Sequence, residues 1–109
     1  MSPVITLTEA DFDTHLADTS LPILIDFWAE GCGPCKALEP VLQDLAGRAQ
    51  GRLRVGSVRL DDNPALAARF EIMTLPTLIV FINGEPAERL TAIRGADDLA
   101  ERLNRHLTH

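Results

Sequence analysis

Cys32 and Cys35 are the only cysteines in a chain of 109 residues, and three positions separate them. Gly33 and Pro34 stand between them, and Lys36, the only lysine, follows. Pro34 suits the first turn of a helix, because the N–H it lacks would be unpaired there anyway. Cys32 then falls at the helix start, where free N–H groups and the aligned peptide dipoles favour a negative charge. A thiolate is the form so favoured, and the thiolate is the nucleophile. Cys35 lies within the first turn on the same side, compatible with the roughly 4.4–6.8 Å between Cα atoms that a disulfide requires. Lys36 adds a positive charge and reads first as a solvated helix residue. Ahead of the pair, Asp26 interrupts the apolar run Ile23 to Trp28, and a carboxylate there is costly unless it has work or a partner.

The elements that must hold these groups follow from the apolar pattern. Ile23 to Trp28 reads as a central strand buried on both faces. Leu38, Val41, Leu42, Leu45, Ala46 and Ala49 recur at the spacing of one helical face, so the strand feeds directly into a long helix. Pro40 interrupts that helix and is expected to bend it. Upstream, Val4 to Leu7 reads as a short strand. A helix with Phe12 and Leu16 on one face follows, capped by Thr8 with Asp11 three residues later. Downstream, Leu53 to Leu60 alternates as a strand around Gly56, and Asn63-Pro64 opens a short helix bearing Leu66 and Phe70. Leu78 to Ile82 is an apolar strand, and Asn83-Gly84 is a strong hairpin signal. The return strand is expected over Glu88 to Ile93, with Pro86 marking an edge. Asp97-Asp98 begins a last helix with Leu99, Leu103 and Leu107 as its stripe and Arg102, Arg105 and His106 toward its end, an order that suits the helix dipole. The sequence of elements is β-α-β-α-β-α-β-β-α. Its first three connections pass through helices and predict parallel pairing, and the final hairpin is antiparallel.

Composition narrows the function. The length fits one domain, 1–109, and 46% apolar residues suffice for a core that needs no disulfide staples. A net charge of −6 argues against nucleic acid or an anionic membrane as the main partner. Met1 to Asp13 has no basic region leading into an apolar run, so no signal peptide is expected. No apolar stretch approaches the ~20 residues of a membrane span. A reducing, cytoplasmic setting is the expectation, and there a lone C-x-x-C serves redox or metal chemistry. Zinc in a structural site needs four ligands. His15, His106 and His109 are the only histidines and lie in peripheral elements, so no metal site is expected.

The residues Asp26-Phe27-Trp28-Ala29, Cys32-Gly33-Pro34-Cys35-Lys36, Pro40, Asp61, Asn63-Pro64, Pro76-Thr77 and Phe81 with Asn83-Gly84 together resemble the thioredoxin family, and the resemblance runs from Val4 to Leu107. It implies an α/β thioredoxin fold, a central mixed five-stranded sheet flanked by four helices. It implies a protein-disulfide reductase with no bound cofactor, whose Cys32–Cys35 disulfide is recharged by electrons from NADPH through thioredoxin reductase. The partners would be that reductase and disulfide-containing proteins, and the chain would act as a monomer. Cys32 would attack, Cys35 would resolve, and Asp26 would take the Cys35 proton through a water. Trp28 would pack beside the dithiol, and Gly33, Pro34 and Lys36 with it would tune its redox behaviour. Pro76 would be cis and would present the Leu75 backbone to an extended substrate, in a groove made with Gly31, Thr74, Ala92 and Ile93.

Three positions depart from the family pattern. Gly31 replaces a larger residue, often tryptophan. Ser57 stands where many members carry a lysine near the buried aspartate, and without that cation the Asp26 pKa should lie higher. Ala92 replaces a glycine of the groove, where its methyl would crowd a peptide. The main alternative is a binding subunit or chaperone-like module with secondary redox activity, using Gly33, Thr74 to Pro76 and Ala92-Ile93 as its surface. A disulfide-forming oxidant is the other, disfavoured by the Gly-Pro pair and the expected compartment.

Overall fold

β2, Ile23–Trp28, is the middle strand of the sheet, and its burial explains the rest of the architecture. In chain order the elements are β1 (Val4–Thr6), α1 (Phe12–Ala17), β2, α2 (Gly33–Arg48), β3 (Arg54–Arg59), α3 (Pro64–Arg69), β4 (Thr77–Ile82), β5 (Glu85–Leu90) and α4 (Ala96–Leu107). The structure is a computed structural model and describes residues 3–107, Leu107 by its backbone alone. The expected apolar contribution of the Leu107 side chain and the position of His109 lie outside the described residues. One mixed sheet of order β1-β3-β2-β4-β5 holds all five strands, and the four helices flank it.

Side chains alternate across a strand, so the sheet has two distinct faces. Leu24, Val55, Leu78 and Val80 pack with Leu38, Leu42 and Leu45 of α2 and Leu99 and Leu103 of α4. Ile23, Ile25, Phe27, Ile79 and Phe81 pack on the opposite face with Phe12 and Leu16 of α1 and Leu66 of α3. The second core is aromatic: Phe12, Phe27, Phe70 and Phe81, all four phenylalanines of the chain, form one ring cluster. Arg69 closes its edge, with its guanidinium 4.9 Å from the Phe70 ring centroid and bonded to both Asp13 carboxylate oxygens. The same alternation places Asp26 on the face of Leu24, under α2. Gly56 is required by close approach, since a Cβ there would lie 2.4 Å from Leu7 Cδ1 and 3.0 Å from Ile25 Cδ1.

The element order agrees with the expected one, and several details differ. β2 pairs parallel with β3, and β1 pairs parallel with β3, but β4 pairs antiparallel with β2. The third helical connection therefore does not give a parallel neighbour. A strand buried on both faces, as β4 is, reads alike in either direction, so its apolar pattern cannot carry its sense. The first helix begins at Phe12, later than a Thr8 cap implies: Asp11 Oδ1 accepts from the Thr8 N–H at 2.7 Å and from its hydroxyl at 3.2 Å, closing a turn ahead of the helix. Asn63 stands at the N-cap of α3 as expected, but its side chain makes no capping hydrogen bond to the helix. Its amide donates to the Arg59 carbonyl at 2.8 Å and accepts from the Glu9 N–H at 2.9 Å, joining α3 to the end of β3 and to the loop after β1. β3 is shorter than expected at both ends. β5 occupies Glu85–Leu90 rather than Glu88 to Ile93, with an irregular register opposite Val80 and Phe81. Asn83 (φ 53°) and Gly84 (φ 81°) both adopt the left-handed conformation that a two-residue hairpin turn demands. Thr91 to Gly95 is thereby left as a loop, and that loop reaches the site.

Candidate functional site

Chain order and strand direction bring three segments to one end of the sheet. β2 ends at Trp28, and a short loop leads into α2 at Gly33. β4 begins opposite that end, with Thr77 paired to Phe27, so the Leu75–Pro76 bond just before it lies beside the start of α2. This bond is cis, as the resemblance implied.

Cys32 is the N-cap of α2, with an extended backbone and its sulfur accepting the Cys35 N–H at 3.1 Å. One orphan donor of the helix is thus aimed at the first sulfur, which favours its ionised form. The Cα atoms of Cys32 and Cys35 are 5.3 Å apart and the two sulfurs are joined, so this is the oxidised form. The two sulfurs differ in access: Cys35 is only 4% exposed, whereas Cys32 is half-buried. An incoming reactant meets Cys32.

Behind Cys35 lies a cavity of about 340 Å³, whose wall includes Asp26, Trp28, Cys35, Lys36, Glu39 and Ser57. Asp26 is 4% exposed, and its Oδ1 has no hydrogen-bond partner among the described residues. Burial raises the Asp26 pKa to about 7, and the negative charge of Glu39 adds to the rise. Ser57, its Cα partner across β3, supplies no cation to oppose this. The carboxyl is therefore poised to exchange a proton near neutral pH, in a polar space large enough for water. Trp28 and Lys36 also line this cavity, and Lys36 is exposed. Glu39 was not singled out from the sequence. Its spacing of four from Cys35, one helical turn, was the available signal.

On the other side of the dithiol a groove of about 600 Å³ runs between Pro34, the Thr74-Leu75-Pro76 segment and the Thr91 to Gly95 loop. Thr74, Leu75, Pro76, Ala92 and Ile93 come together there, as expected. Gly31 does not line the groove; it is exposed, with φ 79°. Gly33 is exposed in the first turn of α2. The Leu75 N–H and C=O make no hydrogen bond among the described residues, so an extended chain can pair with them. Thr77 Oγ1 donates to the Thr74 carbonyl at 2.6 Å and holds the turn. Ala92 sits at φ 55°. Its carbonyl and that of Thr91 accept from Arg102 at 3.2 and 2.7 Å, and Asp98 anchors Arg102 through its Nε at 3.3 Å. Arg102 thus holds the groove loop. The sequence offered only its position four residues after Asp98. Met73, 88% exposed, is the large apolar side chain left bare next to this segment.

Among the described residues no cluster of three or more His, Cys, Asp or Glu side chains is arranged to hold a metal ion. No described helix is long and apolar enough to cross a membrane. Comparison with known proteins agrees with the geometry. The family model described as Thioredoxin matches residues 3–105. A thioredoxin of Staphylococcus epidermidis is 42% identical over 104 residues, covering 95% of this chain and 98% of its own length. Those of Staphylococcus haemolyticus and Staphylococcus aureus are 42% and 41% identical over the same share of each chain.

Proposed function

Because this chain belongs to the thioredoxin family, and is thereby a thiol–disulfide oxidoreductase that reduces protein disulfides, we propose how its own residues divide that work. The observation that carries the proposal is the asymmetry of the pair: an accessible sulfur at the helix tip, and a buried one facing the cavity that Asp26 also lines.

In the reduced protein the Cys32 thiolate attacks one sulfur of a substrate disulfide. The substrate S–S bond breaks, its electron pair leaves on the departing sulfur, and that sulfur takes a proton from solvent. A mixed disulfide joins Cys32 to the substrate. Cys35 gives its proton to the Asp26 carboxylate by way of water in the shared cavity. The Cys35 thiolate attacks the Cys32 sulfur, the mixed disulfide breaks, and the second substrate thiolate leaves and is protonated. Two electrons have passed to the substrate, and the Cys32–Cys35 bond of the present structure has formed. The pKa of Asp26, near 7, lets one group accept this proton and later lose it without a large penalty either way. Leu75 offers its free N–H and C=O to the substrate backbone, which aligns the scissile bond with Cys32.

Recycling by an NADPH-dependent thioredoxin reductase, a cytoplasmic setting and action as a monomer complete the proposal. Reduction of insulin disulfides in the presence of NADPH and a thioredoxin reductase tests it. Sustained NADPH consumption that requires the chain supports it. No insulin reduction by the chemically reduced chain would overturn it, and reduction without NADPH-driven turnover would overturn the recycling alone.

A further inference from the structure

Arg94 is the one charged side chain among the described residues that wall the groove beside the dithiol. The surrounding wall is mainly apolar and includes Pro34, Leu38, Val41, Leu75, Pro76 and Ile93. The base of Arg94 is fixed, since its backbone N–H donates to Asp98 Oδ2 at 2.9 Å. Its guanidinium makes no hydrogen bond or ion pair among the described residues. Two carboxylates follow closely in the chain. Asp97 lies 3.6 Å from Arg48. Asp98 already receives that N–H and the Arg102 Nε. Its pKa is lowered first by that N–H and, in smaller part, by the charges of Arg102 and Arg94, without a direct contact to the Arg94 guanidinium. Glu30, two residues before Cys32, lies in a cluster of the opposite sign, where Asp61 and Asp62 join it around Arg59. In a chain of net charge −6, the groove is thus a place where an incoming carboxylate meets a cation whose guanidinium makes no direct ion pair among the described residues.

We propose that Arg94 is a specificity-determining residue, which makes the groove favour extended segments carrying an Asp or Glu close to the attacked cysteine. This rests on the disulfide-reductase reading above. The segment pairs with the free Leu75 N–H and C=O, and alternate side chains of such a strand point into the groove and out of it. A carboxylate that reaches the Arg94 end exchanges full hydration for a guanidinium against an apolar wall, where a fork-shaped donor matches it well. The preference is one-sided, because a segment laid the other way brings its carboxylate to Glu30 and Asp61. A lysine in the same place meets repulsion from Arg94.

Symmetrical disulfides of a short peptide test this, with Glu, Gln or Lys placed two, three or four residues to either side of the cysteine. The second-order rate of their reduction by the reduced chain is compared for the parent, Arg94→Gln and Arg94→Glu. The parent is expected to reduce the Glu peptide about three- to fivefold faster than the Lys peptide on one side only, a size fitting an ion pair with an exposed arginine. Arg94→Gln should abolish that ratio and Arg94→Glu invert it, each rate being taken relative to that of the Gln peptide with the same protein. Comparing ratios between variants cancels any effect of the charge on the peptide thiol itself. An equal Glu-to-Lys ratio in the parent and Arg94→Gln overturns the proposal, as does a uniform fall for every peptide, which would mark Arg94 as shaping the loop. Failure of the parent to reduce any peptide would instead overturn the reductase reading on which this stands.

Discussion

Asp26 and Ser57 are Cα partners across the parallel pairing of β2 and β3, so the residue directly across the sheet from the buried carboxyl is a neutral hydroxyl. The Asp26 pKa stands at about 7 in the fold against 3.8 for the ordinary group. Between those values the folded chain holds a proton that the unfolded chain has lost. Stability therefore falls as pH rises from 3.8 to about 7 and is level beyond, by an amount on the order of 4 kcal/mol. Asp26→Asn is expected to unfold at higher denaturant than the parent at pH 8 and to show no such gain at pH 3. Equal midpoints at pH 8 would show that the ionised carboxyl costs nothing.

Catalysis should report the same group. Asp26→Ala is expected to slow exchange near neutral pH while leaving the fold intact, and an unchanged pH–rate profile would remove Asp26 from the proton path. Ser57→Lys places a cation beside the carboxyl and should move the apparent pKa of the rate profile downward.

The unequal access of the two sulfurs predicts their roles. Cys35→Ser leaves the more accessible sulfur without its partner, so mixed disulfides with substrate proteins should accumulate through Cys32 and be released by added thiol. Recovery of no such adducts from the reduced variant would count against the two-step exchange. In the reduced parent, brief alkylation should label Cys32 well before Cys35.

Gly31 and Ala92 set opposite tests of backbone strain. Gly31 adopts φ 79° with open space around it, so Gly31→Trp adds apolar area near Cys32 at the cost of holding a side chain in the left-handed region, about 1–2 kcal/mol. The variant is expected to melt lower even where it reduces substrates faster, and an unchanged melting temperature would show that the loop relaxes. Ala92 already bears such strain at φ 55°. Ala92→Gly should gain about 1 kcal/mol, read as a shift of the denaturant midpoint, and lower KM by clearing a methyl from the groove.

Arg102 supports that loop from α4 through the Thr91 and Ala92 carbonyls. Arg102→Ala should loosen it, raising KM for protein substrates with little change in kcat and faster amide exchange at residues 91–95. A fall in kcat alone would place Arg102 in the chemistry rather than in the groove.

The sequence by itself determined the elements that depend on near neighbours along the chain. The bounds of β2, the cysteine at the tip of α2, the Asn83-Gly84 turn and the aspartate within an apolar run all follow from periodicity, capping and local geometry, which act over a few residues. The resemblance added the cis bond at Pro76 and the grouping of Thr74, Leu75, Pro76, Ala92 and Ile93. Only the tertiary structure decided the rest. The antiparallel sense of β4, the cavity that Glu39 shares with Asp26, the clamp of Arg102 on the groove loop and the place of Arg94 in the groove wall arise from contacts between segments distant in sequence. A burial pattern is unchanged when a strand is reversed, and the charge of an arginine is the same whether or not a carboxylate faces it. Strand direction and charge compensation are properties of neighbours in space, and packing alone supplies those neighbours.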